Sequence, residues 1–222
     1  MNRIDNGTIH YKDELVRKLI HLCSLSIPII YYFITKEAAI IILGILTFVA
    51  LVIDLSRYFS LGFGKIFYKI FGFLLRKHEI DDRKKNLNGA TYVLLSALIS
   101  VIIFPKVIFI TAFTILIISD SLAALIGRKY GKHKFLSKSL EGTLTFFVSA
   151  SIVVLFTPKI EGILTEYVIG IIAVLVGTFA ENLSFGFADD NLTIPLSIGL
   201  TMWLLYGLLL PELQLILHHV PR

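Results

Sequence analysis

A single cysteine, Cys23, stands in this chain of 222 residues, so an intramolecular disulfide and a thiolate metal cluster are both excluded. Its place inside the first apolar run points to packing. Charge is also scarce: Asp, Glu, Lys and Arg make up 17% of the residues against 56% hydrophobic, and the mean hydropathy is +0.82. Such a composition is too apolar for a soluble domain and indicates an integral membrane protein. No internal repeat, low-complexity tract or Pro/Gly-rich linker divides the chain, which reads as one domain over 1–222. No small-residue cleavage site follows the first apolar run, so that run reads as a retained helix and not as a removed signal. The Gly-Lys-Ser/Thr ending of a Walker A loop is missing as well.

What the chain has instead is apolar runs, at 19–34, 38–53, 90–104, 107–126, 143–156, 167–180 and 192–210. They predict an all-α polytopic membrane bundle of about seven transmembrane helices, several of them short for a bilayer of ordinary thickness. Lys and Arg retained near span ends mark the cytoplasmic side. They gather at Arg3, Lys12, Arg17 and Lys18, then at Arg57, Lys65, Lys69, Arg76, Lys77, Arg83, Lys84 and Lys85, then at Arg128, Lys129, Lys132, Lys134 and Lys138. The other side holds Lys36, Lys106, Lys159 and Arg222. The N-terminus and the polar loops are therefore expected in the cytoplasm and the C-terminus on the opposite side. The net charge of +5 follows from topology and phosphate handling, and nucleic acid is not an expected partner, because no basic soluble domain is present to bind it. Between residues 61 and 75, Lys65 and Lys69 stand one turn apart among aromatics, the pattern of an amphipathic helix lying in the membrane interface.

Five polar groups interrupt this apolar chain on the expected cytoplasmic side. Asp120, Ala124 and Gly127 fall at i, i+4 and i+7, so a carboxylate shares a helix face with small residues. A buried carboxylate needs a cation: Mg²⁺ with substrate phosphates is one solution, and a structural pair with Lys138 or Arg128 is the other. Gly127 and Gly131 flank Arg128 and Lys129, and Lys138-Ser139-Leu140-Glu141-Gly142 brings a lysine and a carboxylate to the membrane surface together. Glu181-Asn182-Leu183-Ser184 and Asp189-Asp190-Asn191 place three carboxylates on a side otherwise crowded with cations, where they pair with those cations, hold a metal or cap the last helix. Glu14, Arg17, Lys18 and His21 form one polar stripe running into the first span, with snorkelling as the simple reading of Arg17 and Lys18. Asp54 and Arg57 read as a local ion pair.

In order along the chain, Glu14-x-x-Arg17-Lys18-x-x-His21, Asn88-Gly89-Ala90-x-Tyr92, Asp120-x-x-Ala123-x-x-x-Gly127-x-x-x-Gly131, Lys138-Ser139-x-Glu141-Gly142, Glu181-Asn182 and Asp190-Asn191-x-x-x-Pro195 resemble the polyprenol kinase family, which includes dolichol kinase, phytol kinase and the CTP-dependent diacylglycerol kinase. The resemblance implies transfer of the γ-phosphoryl group of CTP to the hydroxyl of a membrane lipid, with Mg²⁺ or another divalent cation. It implies catalytic roles for Asp120, Glu141 and Asp190, metal ligation by Asp120, Glu141, Glu181 and Asp190, and nucleotide or phosphate binding by Arg17, Lys18, Gly127, Arg128, Lys129, Gly131, Lys138, Ser139, Asn182 and Asn191. The chain lacks the long N-terminal membrane region of eukaryotic dolichol kinases, which leans toward a phytol-like or shorter prenyl alcohol. The implied partners are CTP, a lipid alcohol and the membrane, with a homodimer left open. Two other readings stand beside this one. A phosphatidate cytidylyltransferase-like enzyme shares CTP and Mg²⁺, but its His-Gly-Gly and Asp-Arg-x-Asp are missing here. A small ion-coupled transporter would carry its polar groups near the midplane and not at one face.

Overall fold

The computed structural model describes residues 10–59, 61–72, 75, 86–183, 189–218 and 220–221. Arg3, Arg76, Lys77, Arg83, Lys84, Lys85, Ser184 and Arg222 lie outside them. The described residues form ten α-helices: α1 (Tyr11–Cys23), α2 (Ser26–Phe33), α3 (Lys36–Phe59), α4 (Leu61–Phe71), α5 (Gly89–Ile103), α6 (Lys106–Ile115), α7 (Ser121–Tyr130), α8 (Leu140–Phe156), α9 (Leu164–Leu183) and α10 (Asp190–Leu209). A π-turn, Leu116–Asp120, joins α6 to α7, and β1 (Lys134–Phe135) pairs antiparallel with β2 (Lys138–Ser139) just before α8.

Five helical stretches are long and apolar enough to cross a membrane: Tyr11–Phe33, Lys36–Phe59, Lys106–Tyr130, Leu164–Leu183 and Asp190–Leu209. The remaining two of the seven apolar runs fold as the shorter helices α5 and α8, of 15 and 17 residues. Both nevertheless connect the same two ends of the bundle. The cap of α5, Asn88, donates its backbone N–H to Asp54 at the end of α3, while the Ile102 carbonyl of its last turn receives Lys36 from the start of α3. One proline explains the break between α1 and α2. Pro28 has no N–H to give to the Ser24 carbonyl four residues back, and that carbonyl accepts from Ile27 instead at 3.0 Å.

The Lys106–Tyr130 stretch is the hub, with 78% of its apolar window buried against 17% for Tyr11–Phe33. Ile108, Phe109, Phe113, Ile115, Leu116 and Ile117 on it are fully buried. Phe109 stacks on Phe113 and meets the edge of Tyr31 from α2, each at 5.1 Å between ring centroids. α2, α5, α8 and α10 pack around this hub, and α9 packs on α8 and α10. The outward faces, with Phe48, Phe156, Leu164 and Leu208 all exposed, are apolar as a lipid-facing surface must be. Cys23 belongs to that surface: it is exposed rather than packed, and its thiol donates to the Leu19 carbonyl at 3.6 Å.

Among the described residues, three lysines and the Glu166 carboxylate close the end of the bundle away from Asp120. Lys106 donates to Ile34 O at 2.7 Å and to Pro221 O at 2.5 Å, and Lys159 donates to Val154 O at 2.6 Å and to Thr157 O at 2.8 Å. With Lys36 on Ile102 O at 2.9 Å, each of these cations sits on the carbonyl-rich C-terminus of a helix, where the helix dipole favours positive charge. Glu166, completely buried, accepts the backbone N–H groups of Ile160, Glu161 and Gly162 at 2.8 to 2.9 Å and the Tyr206 hydroxyl at 3.1 Å. It thereby staples the 157–163 connection to α10. Glu166→Ala would leave four donors without their acceptor and is expected to destabilise the protein by about 1.5–3 kcal/mol, against about 1 kcal/mol for Tyr206→Phe. Thermal unfolding in detergent measures both, and an unchanged midpoint in Glu166→Ala would show that the staple carries no stability.

Candidate functional site

At the other end, the stripe on α1 turns inward. Glu14 and Lys18 are buried, and the Lys18 ammonium donates to the Asp120 carboxylate, 102 residues away on the π-turn. Snorkelling is therefore not what Lys18 does, and the structural partner of Asp120 is Lys18, not Lys138 or Arg128. His21 Nε2 lies 4.0 Å from the same Asp120 oxygen, too far for a hydrogen bond, and is buried without a hydrogen-bond partner among the described residues. One turn nearer the surface, Arg128 Nη1 approaches Glu14 Oε2 at 3.5 Å, and Arg17 Nε reaches the same oxygen at 3.8 Å. Two ion pairs thus fasten α1 to the hub, and this low-dielectric setting makes each of them costly to break.

The π-turn sets the azimuth of Asp120. Its wider ring inserts a residue into the α-helical register, so the Asp120 side chain is buried against α1 while Ala123 and Gly127 face α8. The α7–α8 contact is then extremely close. A methyl group on Gly127 would stand 2.9 Å from Ser139 Oγ and 3.2 Å from Gly142 Cα, and one on Gly131 would stand 2.2 Å from the Gly127 carbonyl oxygen. Ser139, buried between these glycines, caps α8 by accepting the Gly142 N–H at 3.2 Å. In this structure the small residues act as a helix crossing, which brings the hairpin and α8 against the Asp120 helix.

The crossing aims Lys138. Asn182, fully buried on α9, accepts the Ser137 N–H at 2.9 Å and donates to Thr143 Oγ1 at 2.7 Å, locking the hairpin to α8 and α9. Lys138 Nζ then lies 2.5 Å from Glu181 Oε1 and 3.9 Å from Asp190 Oδ2. Burial alone would draw the Lys138 pKa down, yet the Glu181, Asp190 and Asp120 carboxylates outweigh it and raise the pKa above the ordinary lysine value. One ammonium, charged at every physiological pH, therefore stands among three carboxylates contributed by α9, α10 and the π-turn.

Two other predicted residues, Glu141 and Lys129, make their contacts elsewhere. Glu141 faces the hairpin: it takes the His133 N–H at 3.3 Å, and its Oε1 lies 2.8 Å from His133 Nδ1. Lys129 is exposed on the last turn of α7, 5.1 Å from the Tyr130 ring centroid. Asp189 is the N-cap of α10, accepting the Asn191 N–H at 2.9 Å and the Asn191 side-chain amide at 2.6 Å. Within α10, Pro195 has no N–H for the Asn191 carbonyl, so a backbone oxygen is released from the helix ladder close to Asp190. Asp54 and Arg57 form the expected pair at 3.0 Å, fully buried. Three features escaped the sequence pattern: the π-turn, the Asn182 clamp and the His133–Glu141 contact. Asn182 alone carried a signal, as a buried amide beside Glu181. Among the described residues, no cluster of three or more His, Cys, Asp and Glu side chains forms a ready metal site, since lysines separate the carboxylates.

The chain is 34% identical over 189 residues to Uncharacterized protein RP860 of Rickettsia prowazekii, spanning 85% of this chain and 92% of that protein. It is 33% identical over 194 residues to Uncharacterized protein MJ1137 of Methanocaldococcus jannaschii, spanning 84% of this chain and 91% of that one. A more distant similarity, 27% over 165 residues, joins it to CTP-dependent diacylglycerol kinase 1 of Schizosaccharomyces pombe, with 68% of this chain and 74% of that protein covered. No protein-family profile and no solved structure matches the chain.

Two substitutions test the geometry directly. Lys18→Met strands the Asp120 carboxylate inside the bundle and is expected to destabilise by about 3–5 kcal/mol, most of which adding Asp120→Asn restores. Gly131→Ala forces the α7 terminus away from Ser139 and is expected to lower stability by about 1–3 kcal/mol. Thermal unfolding in detergent reads both. Simple additivity of Lys18→Met and Asp120→Asn would show that the two residues are not coupled.

Proposed function

The chain belongs to one family with the Rickettsia prowazekii and Methanocaldococcus jannaschii proteins, and from that premise we propose that it is a lipid-alcohol kinase transferring the γ-phosphoryl group of a nucleoside triphosphate, CTP preferred, to the hydroxyl of a membrane lipid. One observation carries this reading. Cations and carboxylates from α1, the π-turn, the hairpin, α9 and α10 converge at one end of an otherwise apolar bundle. The distant likeness to a protein named CTP-dependent diacylglycerol kinase supports it.

Phosphoryl transfer asks a protein chiefly for positioning and charge stabilisation. Lys18 and Lys138, paired with carboxylates here, are the natural ligands of the triphosphate, with Arg17 and Arg128 at the rim. Asp120, Glu181 and Asp190 offer hard carboxylate oxygens of the type Mg²⁺ prefers, and the Asn191 carbonyl freed by Pro195 adds another. A bound Mg²⁺ would neutralise charge between the phosphate oxygens. The lysines that now compensate the carboxylates would turn to the phosphates as the ion and nucleotide enter, so no charge is left uncompensated. Gly127, Gly131, Ser139 and Asn182 position this machinery through the α7–α8 crossing and the hairpin clamp.

The acceptor reaches the centre from the bilayer. On the outer side of α1, Leu15, Val16, Leu19 and Ile20 are exposed, so one helix separates the Lys18–Asp120 pair from lipid. In this reading α5 and α8 complete a seven-span bundle, their 15 and 17 residues covering about 22–26 Å of a locally thinned bilayer. The positive-inside rule then puts the charged end in the cytoplasm.

Purified protein in detergent, given γ-labelled CTP, ATP or UTP and a panel of prenyl alcohols and diacylglycerol, is expected to label one class of alcohol and to do so most rapidly with CTP. Asp120→Asn and Asp190→Asn are each expected to lower the rate at least about 100-fold. Absence of labelled alcohol with every nucleotide overturns the kinase, and pyrophosphate release with phosphatidate would redirect it to cytidylyl transfer.

A further inference from the structure

We propose that α4 is a docking site for anionic phospholipid in the leaflet at the charged end of the bundle. The helix has 11 residues, about 16 Å at helical rise, and cannot cross the hydrocarbon core. Its surface falls into three sectors. Gly64 and Phe67 are buried against the end of α3, where a methyl group on Gly64 would stand 2.7 Å from the Arg57 carbonyl oxygen. Phe63, Ile66 and Ile70, at i, i+3 and i+7, are exposed and apolar. Lys65 and Lys69, at i and i+4, are exposed on the remaining sector between these two. A helix with one face on protein, one apolar face open and a lysine strip beside it fits the plane of the headgroups, apolar side chains among the acyl chains and ammonium groups at lipid phosphates.

Arg57 fixes the roll of the helix and so the direction of the lysine strip. Its guanidinium carbon lies 5.2 Å from the Phe67 ring centroid and 5.9 Å from that of Tyr68, both on α4. Its Nε lies 3.0 Å from Asp54 Oδ1, while Asp54 Oδ2 takes the N–H of Asn88 at the start of α5. Arg57 Nη1 is buried and has no hydrogen-bond partner among the described residues. Arg57 is buried and opposed by Asp54, whereas Lys65 and Lys69 are exposed. The strip retains two positive charges facing the membrane surface, and an anionic phospholipid complements them.

The test uses the full chain in nanodiscs, with Ile66→Cys in a Cys23→Ser background carrying a fluorophore, and phosphatidylcholine or phosphatidylglycerol brominated in turn. Brominated phosphatidylglycerol is expected to quench more strongly than brominated phosphatidylcholine at equal mole fraction. The preference should fall roughly fivefold with each of Lys65→Gln and Lys69→Gln, and should weaken as salt is added. Both lysines are exposed, so the variants keep the wild-type thermal midpoint. Equal quenching by the two lipids, no quenching by either, or a preference that survives the double Gln variant overturns the proposal. Competition by inorganic phosphate would assign the strip to a soluble anion instead. Every readout here is independent of phosphoryl transfer.

Discussion

The structure depends on opposite charges buried together at one end of an apolar bundle. A lone ammonium or carboxylate in that setting is costly by several kcal/mol, and only a partner at contact distance makes it tolerable. Lys18 with Asp120 and Lys138 with Glu181 meet this condition across 102 and 43 residues of chain. The first pair fixes the position of a helix that few apolar contacts would hold, and the second ties the hairpin to α9. α1 shows this best: most of its surface faces outward, and its polar stripe fastens it to the hub.

The two ends of the bundle use lysine differently. At one end Lys36, Lys106 and Lys159 meet helix carbonyls, a neutral partner with a dipole, and Glu166 meets backbone N–H groups. At the other, Lys18 and Lys138 meet full carboxylates. Carbonyl caps close helix ends and leave no ionic centre. In the proposed reading, the carboxylate pairs are counter-charges that an incoming polyanion and cation would exchange for their own. The same residue type is structural at the first end and, in the proposed kinase, functional at the second.

Some of this was legible along the chain. The apolar runs gave the helices, and all seven proved helical, with five long enough to cross a membrane on length and composition. The i, i+3, i+4, i+7 spacing of Glu14, Arg17, Lys18 and His21 gave one face of α1, and the Asp54–Arg57 spacing gave a local pair, because both are contacts within a single helix. Partner choice between helices was not legible. Asp120 had Lys138 and Arg128 as its candidates from the following loop, whereas the π-turn rotates it toward α1 and Lys18. Glu141, three residues from Lys138, turns to His133 because successive residues entering α8 leave the axis in different directions.

Composition and periodicity by themselves determined that this is a helical membrane protein with its ionisable groups near helix ends, since the bilayer penalises charge and unpaired backbone regardless of how helices are arranged. Tertiary structure alone decided which cation meets which carboxylate and how closely α7 approaches α8. It also decided where α4 lies. Those outcomes depend on the rotation of each helix about its axis, which a π-turn, a proline or a glycine crossing resets by amounts that no one-dimensional pattern records.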